Sequence, residues 1–179
     1  MTITRNRIGI GLNGNAIPNA FGVWLKGNGA QLGPDNIIAF NTNAGVKVQG
    51  DGADNNTITR NSIYSNGGWG IDIFPRGPNP FNVPTTGPNQ GIDFPVLTGA
   101  TPTQVTGTAC AGCVVEVFIA DTNSATYGEG QTFIGAATAN GSGNFTVSVS
   151  GVSSGQWVTA TATDAAGNTS EFCLNRVVN

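Results

Sequence analysis

The chain has 179 residues, a formal net charge of −3 at pH 7 and no histidine, and only 9% of its residues are charged. Its seven basic residues are scattered, which argues against a nucleic-acid surface, and no apolar run approaches the ~18 residues of a membrane span. The absence of histidine excludes Ser-His-Asp and Cys-His catalytic systems and histidine metal sites. Because Gly, Pro or Asn interrupts every helical apolar pattern, the composition predicts an all-β fold.

The first half repeats a short apolar phrase three times. Residues 22–25, 45–48 and 70–73 read GVWL, GVKV and GIDI, so their glycines are 23 and then 25 residues apart. A short strand that recurs at this period, with Gly and Asn at the corners, indicates a coiled β-solenoid. We therefore predict about three parallel β-helix coils in residues 1–75.

The alternation of side chains along a strand predicts an outer column on this solenoid. The apolar residues of each phrase are expected to face inward, which leaves Trp24, Lys47 and Asp72 outward with ~4.8 Å between neighbouring strands. A second inward face is expected from an apolar residue three positions before an asparagine, with each asparagine bonding the backbone of the next coil. These pairs are Ile3 and Asn6, Ile38 and Asn41, and Ile58 and Asn61.

Residues 56–63 (NTITRNSI) and 70–73 (GIDI) resemble the right-handed parallel β-helix repeats of pectate-lyase-like proteins and of many large bacterial surface proteins. The resemblance implies a fold that hosts lyases, hydrolases and adhesins, so it implies no single activity. Residues 1–6 enter a repeat directly and show no signal peptide, although the composition is typical of extracellular proteins. We interpret the chain as a fragment of a larger secreted protein, with further coils before it or with self-association through the open edge of the first coil.

The second half changes to short alternating strands. Residues 76–93 form a connector rich in Pro, Gly and Asn, for which regular structure is not expected. In residues 94–179, seven strands within ~85 residues indicate an Ig-like β-sandwich, with Glu116 facing outward from the third strand. The predicted strands are 94–98, 103–108, 114–120, 131–137, 144–149, 156–163 and 170–178.

Three segments of this half, 91–98 (GIDFPVLT), 127–135 (YGEGQTFIG) and 159–172 (TATATDAAGNTSEF), resemble the bacterial Ig-like module that follows β-helix repeats in large secreted proteins. The resemblance implies a secreted or cell-surface location and a spacer, adhesive or sugar-binding role. In that module the position of Cys173 is usually a small polar residue, so the redox state of this cysteine stays open.

The pair Cys110 and Cys113 has three interpretations: a redox motif, half of a zinc site, or a small-loop disulfide. No thioredoxin-like helix start lies nearby, and a closed zinc site needs two more ligands where only Cys173 remains. We therefore favour the disulfide, which suits a secreted protein. Cys173 is then either a buried thiol or a cross-link between two chains.

Carboxylates, lysine and arginine are the remaining candidates for catalysis. A lyase similar to pectate lyase would need acidic Ca²⁺ ligands and a basic residue on one outer face, and only Lys47, Asp72, Asp51 and Asp54 provide such a grouping. A solvated salt bridge between Lys47 and Asp72 is the alternative that we favour. A glycosidase would need two carboxylates ~5–10 Å apart, as in a pair of Asp72 with Asp93.

Sugar binding needs exposed aromatic rings rather than acids. We expect a strip of Trp24, Trp69 and Tyr64 on the solenoid, and alternation places Trp157 on the outside of the sandwich. Packing of these rings within the protein is the alternative.

A Ca²⁺ site is predicted from Asp164, Asn168 and Glu171, because carboxylate and amide oxygens at a loop suit this ion, and Asp121 and Glu129 offer carboxylates at the ends of the loop 121–130. A turn in which Asp164 bonds its own backbone is the alternative.

The sequence thus predicts an all-β chain, a short right-handed parallel β-helix joined to an Ig-like sandwich. The leading hypothesis is a non-enzymatic extracellular surface module for adhesion or carbohydrate binding, with a polysaccharide or cell-surface glycan as its partner and Ca²⁺ as its one candidate cofactor. The alternatives are a polysaccharide lyase or glycoside hydrolase, and a structural spacer or self-assembling unit.

Overall fold

The computed structural model describes residues 1–75, 77–78, 87–122 and 126–179. Regular structure in these residues is β apart from one short 3-10 segment at Pro88–Gly91, and none of it is a helix long and apolar enough to span a membrane. Residues 79–86, in the middle of the predicted connector, lie outside the described part. The chain is all-β, as its composition predicts.

Residues 2–73 form three parallel three-stranded sheets. Each passage of the chain contributes one strand to each sheet, so the sheets run β1-β4-β7, β2-β5-β8 and β3-β6-β9. We call each such passage of the chain a coil. The strands are β1 (Thr2–Ile3), β2 (Arg7–Ile8), β3 (Val23–Leu25), β4 (Gln31–Leu32), β5 (Ile37–Ala39), β6 (Val46–Val48), β7 (Thr57–Ile58), β8 (Ser62–Tyr64) and β9 (Ile71–Ile73).

The inward apolar faces differ from the predicted alignment. Ile3 and Ile58 share one sheet, where Leu32 lies between them in register, whereas Ile38 pairs with Ile63 in the next sheet. The expected face of Ile3, Ile38 and Ile58 is therefore wrong at Ile38. The reason is that the second coil has two apolar strands, β4 and β5, separated by only four residues, and the sequence pattern selected the wrong one.

Asparagine side chains link the coils at several corners, and two of these ladders contain the predicted residues. In one ladder the Asn36 Oδ1 accepts from the backbone N–H of Asn6 (3.0 Å), and the Asn36 Nδ2 donates to Asn61 Oδ1 (2.8 Å). Asn41 belongs to the second ladder, which is formed by Asn19, Asn41 and Asn66. The expected bonding to the next coil is therefore present, but in two columns.

The chain turns into the first ladder through left-handed residues. Arg5, Asp35 and Arg60 immediately precede its asparagines and have φ values of 59°, 67° and 49°. This conformation costs a non-glycine residue ~1 kcal/mol or more, and the inter-coil hydrogen bonds that follow offset the cost.

Residues 96–177 form a two-sheet antiparallel sandwich. One sheet has the order β10-β11-β14 and the other β13-β12-β15-β16, and a buried core that includes Val115, Val117 and Phe145 lies between them. Six strands lie close to their predicted bounds, while the seventh is reduced to two residues. The strands are β10 (Val96–Ala100), β11 (Gln104–Thr108), β12 (Val114–Ala120), β13 (Gly130–Thr138), β14 (Asn144–Ser148), β15 (Trp157–Thr163) and β16 (Arg176–Val177).

The sandwich packs directly on the last coil. Phe118 and Phe172 belong to the same buried cluster as the coil residues Ile63 and Ile71, and the two rings meet edge to face with centroids 5.6 Å apart. The sheet that contains β12 is therefore covered on both faces. Glu116, predicted to face water, is only 5% exposed because its outward face is the face that meets the coil.

Candidate functional site

The outer column of the solenoid is formed by the sheet β3-β6-β9. Trp24 pairs with Lys47 and Lys47 with Asp72 in parallel register, which confirms the predicted alignment. Exposure falls along the column: Trp24 is 45% exposed, Lys47 is half-buried and Asp72 is buried. Asp72 is not the exposed acid that alternation predicts, because the chain beyond β9 turns back and the backbone N–H of Gly77 donates to its Oδ1 (3.1 Å).

Aromatic and cationic side chains surround Trp24. The Phe21 ring lies 5.4 Å from the Trp24 ring, centroid to centroid. The Lys26 Nζ lies 4.0 Å from the Trp24 ring centroid, and the Lys47 Nζ lies 5.0 Å from it and 4.9 Å from the Phe21 centroid. Both lysines of the chain therefore meet at one exposed aromatic pair.

An open surface pocket of about 350 Å³ adjoins this pair. It combines an aromatic wall with amide, ammonium and carboxylate groups, which is the mixture typical of a site for a polar ligand with an apolar face. Its lining is Phe21, Asn43, Ala44, Lys47, Gly68, Trp69 and Asp72.

The predicted aromatic strip is only partly assembled. Trp69 lines the pocket and contacts the Tyr127 ring of the sandwich at 6.3 Å. Tyr64 lies on the neighbouring sheet, where its ring meets Phe40 at 5.7 Å. Trp157 is half-buried on the sandwich, so one surface gathers Trp24 and Trp69 but not the other two.

The acidic candidates do not converge. Lys47 and Asp72 both line the pocket, but the carboxylate of Asp54 accepts from the backbone N–H (3.0 Å) and the Nε2 (2.8 Å) of Gln90 instead. Asp51 is an exposed turn residue. The grouping expected for a lyase is therefore divided between the pocket and a neighbouring turn.

The favoured salt bridge between Lys47 and Asp72 does not form. Within the described part of the chain, the ion pairs are Arg5–Asp35 at 3.7 Å and Arg60–Glu116 at 3.9 Å. The ammonium of Lys47 lies over the aromatic rings, which leaves the Asp72 carboxylate to the backbone N–H that reaches it.

The predicted calcium ligands have protein partners. Asp164 accepts from two backbone N–H groups of its own turn and from the Asn168 Nδ2 (2.8 Å), while the Asn168 Oδ1 accepts from the backbone N–H of Asn55 (2.6 Å). Glu171 instead accepts from the backbone N–H of Ile73 (2.9 Å). The described residues contain no group of three acidic or cysteine side chains placed to hold a metal. Calcium binding stays a prediction.

A row of polar side chains bonds the sandwich to the last coil, a role that sequence reasoning missed for Glu116 and for Glu129, which it considered only as a possible calcium ligand. The backbone N–H of Arg60 donates to Glu116 Oε2 (2.9 Å), and Asn66 donates to Glu129 through its backbone N–H (2.8 Å) and its Nδ2 (2.9 Å). These acceptors replace the carbonyl and amide groups of a further coil. A signal was present in the sequence, since an acidic residue at an outward strand position is notable in a chain with so few charges.

Burial raises the pKa of Glu129 from 4.5 to about 8. The negative charge of Asp121 raises this pKa further, whereas the hydrogen bonds from Asn66 lower it. Glu129 is only 5% exposed, so desolvation of its charged form is the largest cause.

Cys110 and Cys113 are joined by a disulfide, with their Cα atoms 5.4 Å apart. Cys173 is a buried free cysteine, and burial raises the pKa of its thiol to about 11. Of the two alternatives for Cys173, the structure has the buried thiol rather than a surface cross-link.

Comparison with known proteins concerns mainly the sandwich. No curated protein matches this chain. Among solved structures, the chain is similar to one described as "Biofilm associated protein - BSP domain", with 21% sequence identity and a TM-score of 0.34. That similarity covers 55% of this chain and 15% of that chain. Residues 96–175, which span the sandwich from β10 to the segment before β16, match the family model of a bacterial Ig domain.

Proposed function

We propose that this chain is an extracellular module of a bacterial surface protein that binds carbohydrate through the outer face of the sheet β3-β6-β9. The exposed ring of Trp24, paired with Phe21 beside an open pocket, is the observation that supports this proposal. The C–H face of a sugar packs on an aromatic ring, and its hydroxyl groups need polar partners such as Asn43 and Lys47.

The paired strands and the sandwich hold the side chains of this site in place. Trp24 and Lys47 lie on paired strands, and Trp69 is held by the Tyr127 ring of the sandwich. Residues on rigid elements keep a binding geometry better than residues on loops. The low charge of the chain and the match to a bacterial Ig domain support the surface location.

A polysaccharide-active enzyme is the second candidate, because Lys47 and Asp72 are neighbours in the same pocket. In this role Lys47 would be the proton acceptor. Asp51 and Asp54 do not line the pocket, so the acidic ligand set of a lyase is incomplete there.

The test is a pull-down on a panel of insoluble glycans, with and without Ca²⁺, that also scores new reducing or unsaturated ends. We expect retention without product, and at least about a fivefold loss of retention in Trp24→Ala, since stacking on one ring contributes ~1 kcal/mol or more. Trp157→Ala, which removes a tryptophan from the sandwich, is the matched control and should bind normally.

Retention that survives Trp24→Ala would contradict the proposed site. Product formation that disappears in Asp72→Asn or Lys47→Ala would establish the enzyme instead. Thermal melting of each variant verifies that it is folded.

A further inference from the structure

We infer that the Trp24 site selects anionic polysaccharides, meaning sugars that carry a carboxylate or sulfate group next to the ring that stacks. This inference rests on the proposed function and specifies the ligand class of the same site. The features that carry it are the positions and the pairing of Lys26 and Lys47.

Among the residues that the structure describes, neither lysine has a carboxylate partner. The ion pairs of the described residues use only arginines, and the Lys47 ammonium approaches Asp72 no closer than the 4 Å limit of an ion pair. In a chain of net charge −3, both lysines therefore keep an uncompensated positive charge at one place. An anionic ligand supplies the missing partner for these charges.

The geometry places these charges where a bound sugar would lie. The two ammonium groups are 4.0 Å and 5.0 Å from the centroid of the Trp24 ring, and Lys26 is exposed to solvent. Because the Lys26 ammonium lies over the Trp24 ring, a pyranose that packs on this indole would move the exposed lysine to the edge of the sugar, where its ammonium meets the sugar's substituents. A neutral sugar gains the stacking and hydrogen bonds to its hydroxyl groups, whereas an acidic one also gains the ion pair.

The nearby carboxylate does not cancel this preference. Asp72 is 3% exposed and its Oδ1 is held by the backbone N–H of Gly77. Lys26 and Lys47 are both more exposed than Asp72, so a ligand at this ring reaches the lysine charges before the Asp72 carboxylate. Because these lysines are partly solvated, each ion pair contributes modestly and is screened by salt.

The experiment measures affinity by calorimetry or biolayer interferometry for two matched pairs of polymers. Polygalacturonate is compared with its methyl-esterified form, and dextran sulfate with dextran, so that carboxylate and sulfate are tested separately. We expect at least one anionic polymer to bind about tenfold more tightly than its neutral counterpart at ~50 mM NaCl and to lose this advantage at ~500 mM.

Substitutions of the two lysines then test whether they cause the preference for anionic polymers. Lys26→Gln and Lys47→Gln should each weaken anionic binding about threefold and together about tenfold, while Lys26→Arg and Lys47→Arg retain it. Arg5→Gln makes the same change in net charge at an exposed position between β1 and β2 and should have no effect.

Equal binding of neutral and anionic polymers, with loss in Trp24→Ala, would overturn the charge selection and leave the proposed function intact. A loss in Arg5→Gln equal to that in the lysine variants would also overturn it, because the effect would then follow net charge. Failure of every polymer to bind would remove the proposed function together with this inference.

Discussion

Glu129 is a buried acid at the junction between the last coil and the sandwich. Both of its oxygens accept hydrogen bonds from Asn66, the last member of the second ladder, and Asp121 lies close enough to raise its pKa. The folded protein therefore retains a proton on Glu129 up to about pH 8, whereas the unfolded chain loses it near pH 4.5.

The sign of the pH dependence follows from this difference. Between about pH 4.5 and 8 the folded state binds more protons than the unfolded state, so the free energy of unfolding falls as the pH rises. We expect Glu129 to contribute a decrease of the order of 5 kcal/mol, complete above the folded pKa.

Glu129→Gln removes this titration while keeping a carbonyl oxygen for Asn66. The expected result is a flatter profile of unfolding free energy between pH 5 and 8, measured by urea denaturation, with Asp51→Asn as the exposed control. An unchanged slope in Glu129→Gln would show that the carboxyl is not the group responsible.

At the scale of elements, the ladders hold the coils in register. Asn41 is 1% exposed, accepts from the backbone N–H and Nδ2 of Asn19, and donates to Asn66. Its side chain bonds to the coil before it and the coil after it, so no solvent can replace a lost partner.

Asn41→Ala should lower the free energy of unfolding by about 2–4 kcal/mol, because it leaves buried donors and acceptors unpaired. Chemical denaturation measures this loss. Asn28→Ala, at an exposed position, is the matched control and should change stability by less than about 0.5 kcal/mol. Equal effects of the two substitutions would contradict a structural role for the ladder.

Sequence patterns predicted some strands correctly and others incorrectly, and each outcome has a physical reason. Alternation located the outer column and six sandwich strands, since a period of two depends only on neighbouring residues. It misplaced Ile38, because the choice between β4 and β5 as partner of β1 depends on how the chain turns between these two strands. The last strand is short because residues near Thr169 bond the coil instead, as when Thr169 Oγ1 accepts from the backbone N–H of Ile58.

At the scale of the molecule, the sandwich stands in the place of a fourth coil. A Cβ added to Gly45 would lie 2.8 Å from the Ile63 side chain of the next coil, and one added to Gly70 would lie 2.9 Å from the ring of Phe172. Gly45 thus packs against the next coil, whereas Gly70, the equivalent residue one repeat later, packs against the sandwich. One apolar cluster and several carboxylate contacts cross the junction, so the two halves should unfold together.

Two single-tryptophan proteins test this expectation, one retaining only Trp24 in the coils and the other only Trp157 in the sandwich. Their thermal transitions should coincide. Phe172→Ala should destabilise the junction by about 3–5 kcal/mol and shift the Trp24 transition below that of Trp157. Phe145→Ala, in the sandwich core alone, should not lower the Trp24 transition below that of Trp157. Separate transitions in the unsubstituted protein would contradict a shared core.

The sequence by itself determined the all-β class, the three-coil period and the register of Trp24, Lys47 and Asp72, because each depends on spacing along the chain. The tertiary structure decided which of these residues meets solvent. The burial of Asp72 depends on the chain beyond β9, and the burial of Glu116 depends on a coil more than fifty residues away. Lys26 follows Trp24 by two residues, whereas Lys47 reaches that ring only because two coils lie in register. Packing between residues that are far apart in sequence therefore determined which side chains of the candidate site are exposed.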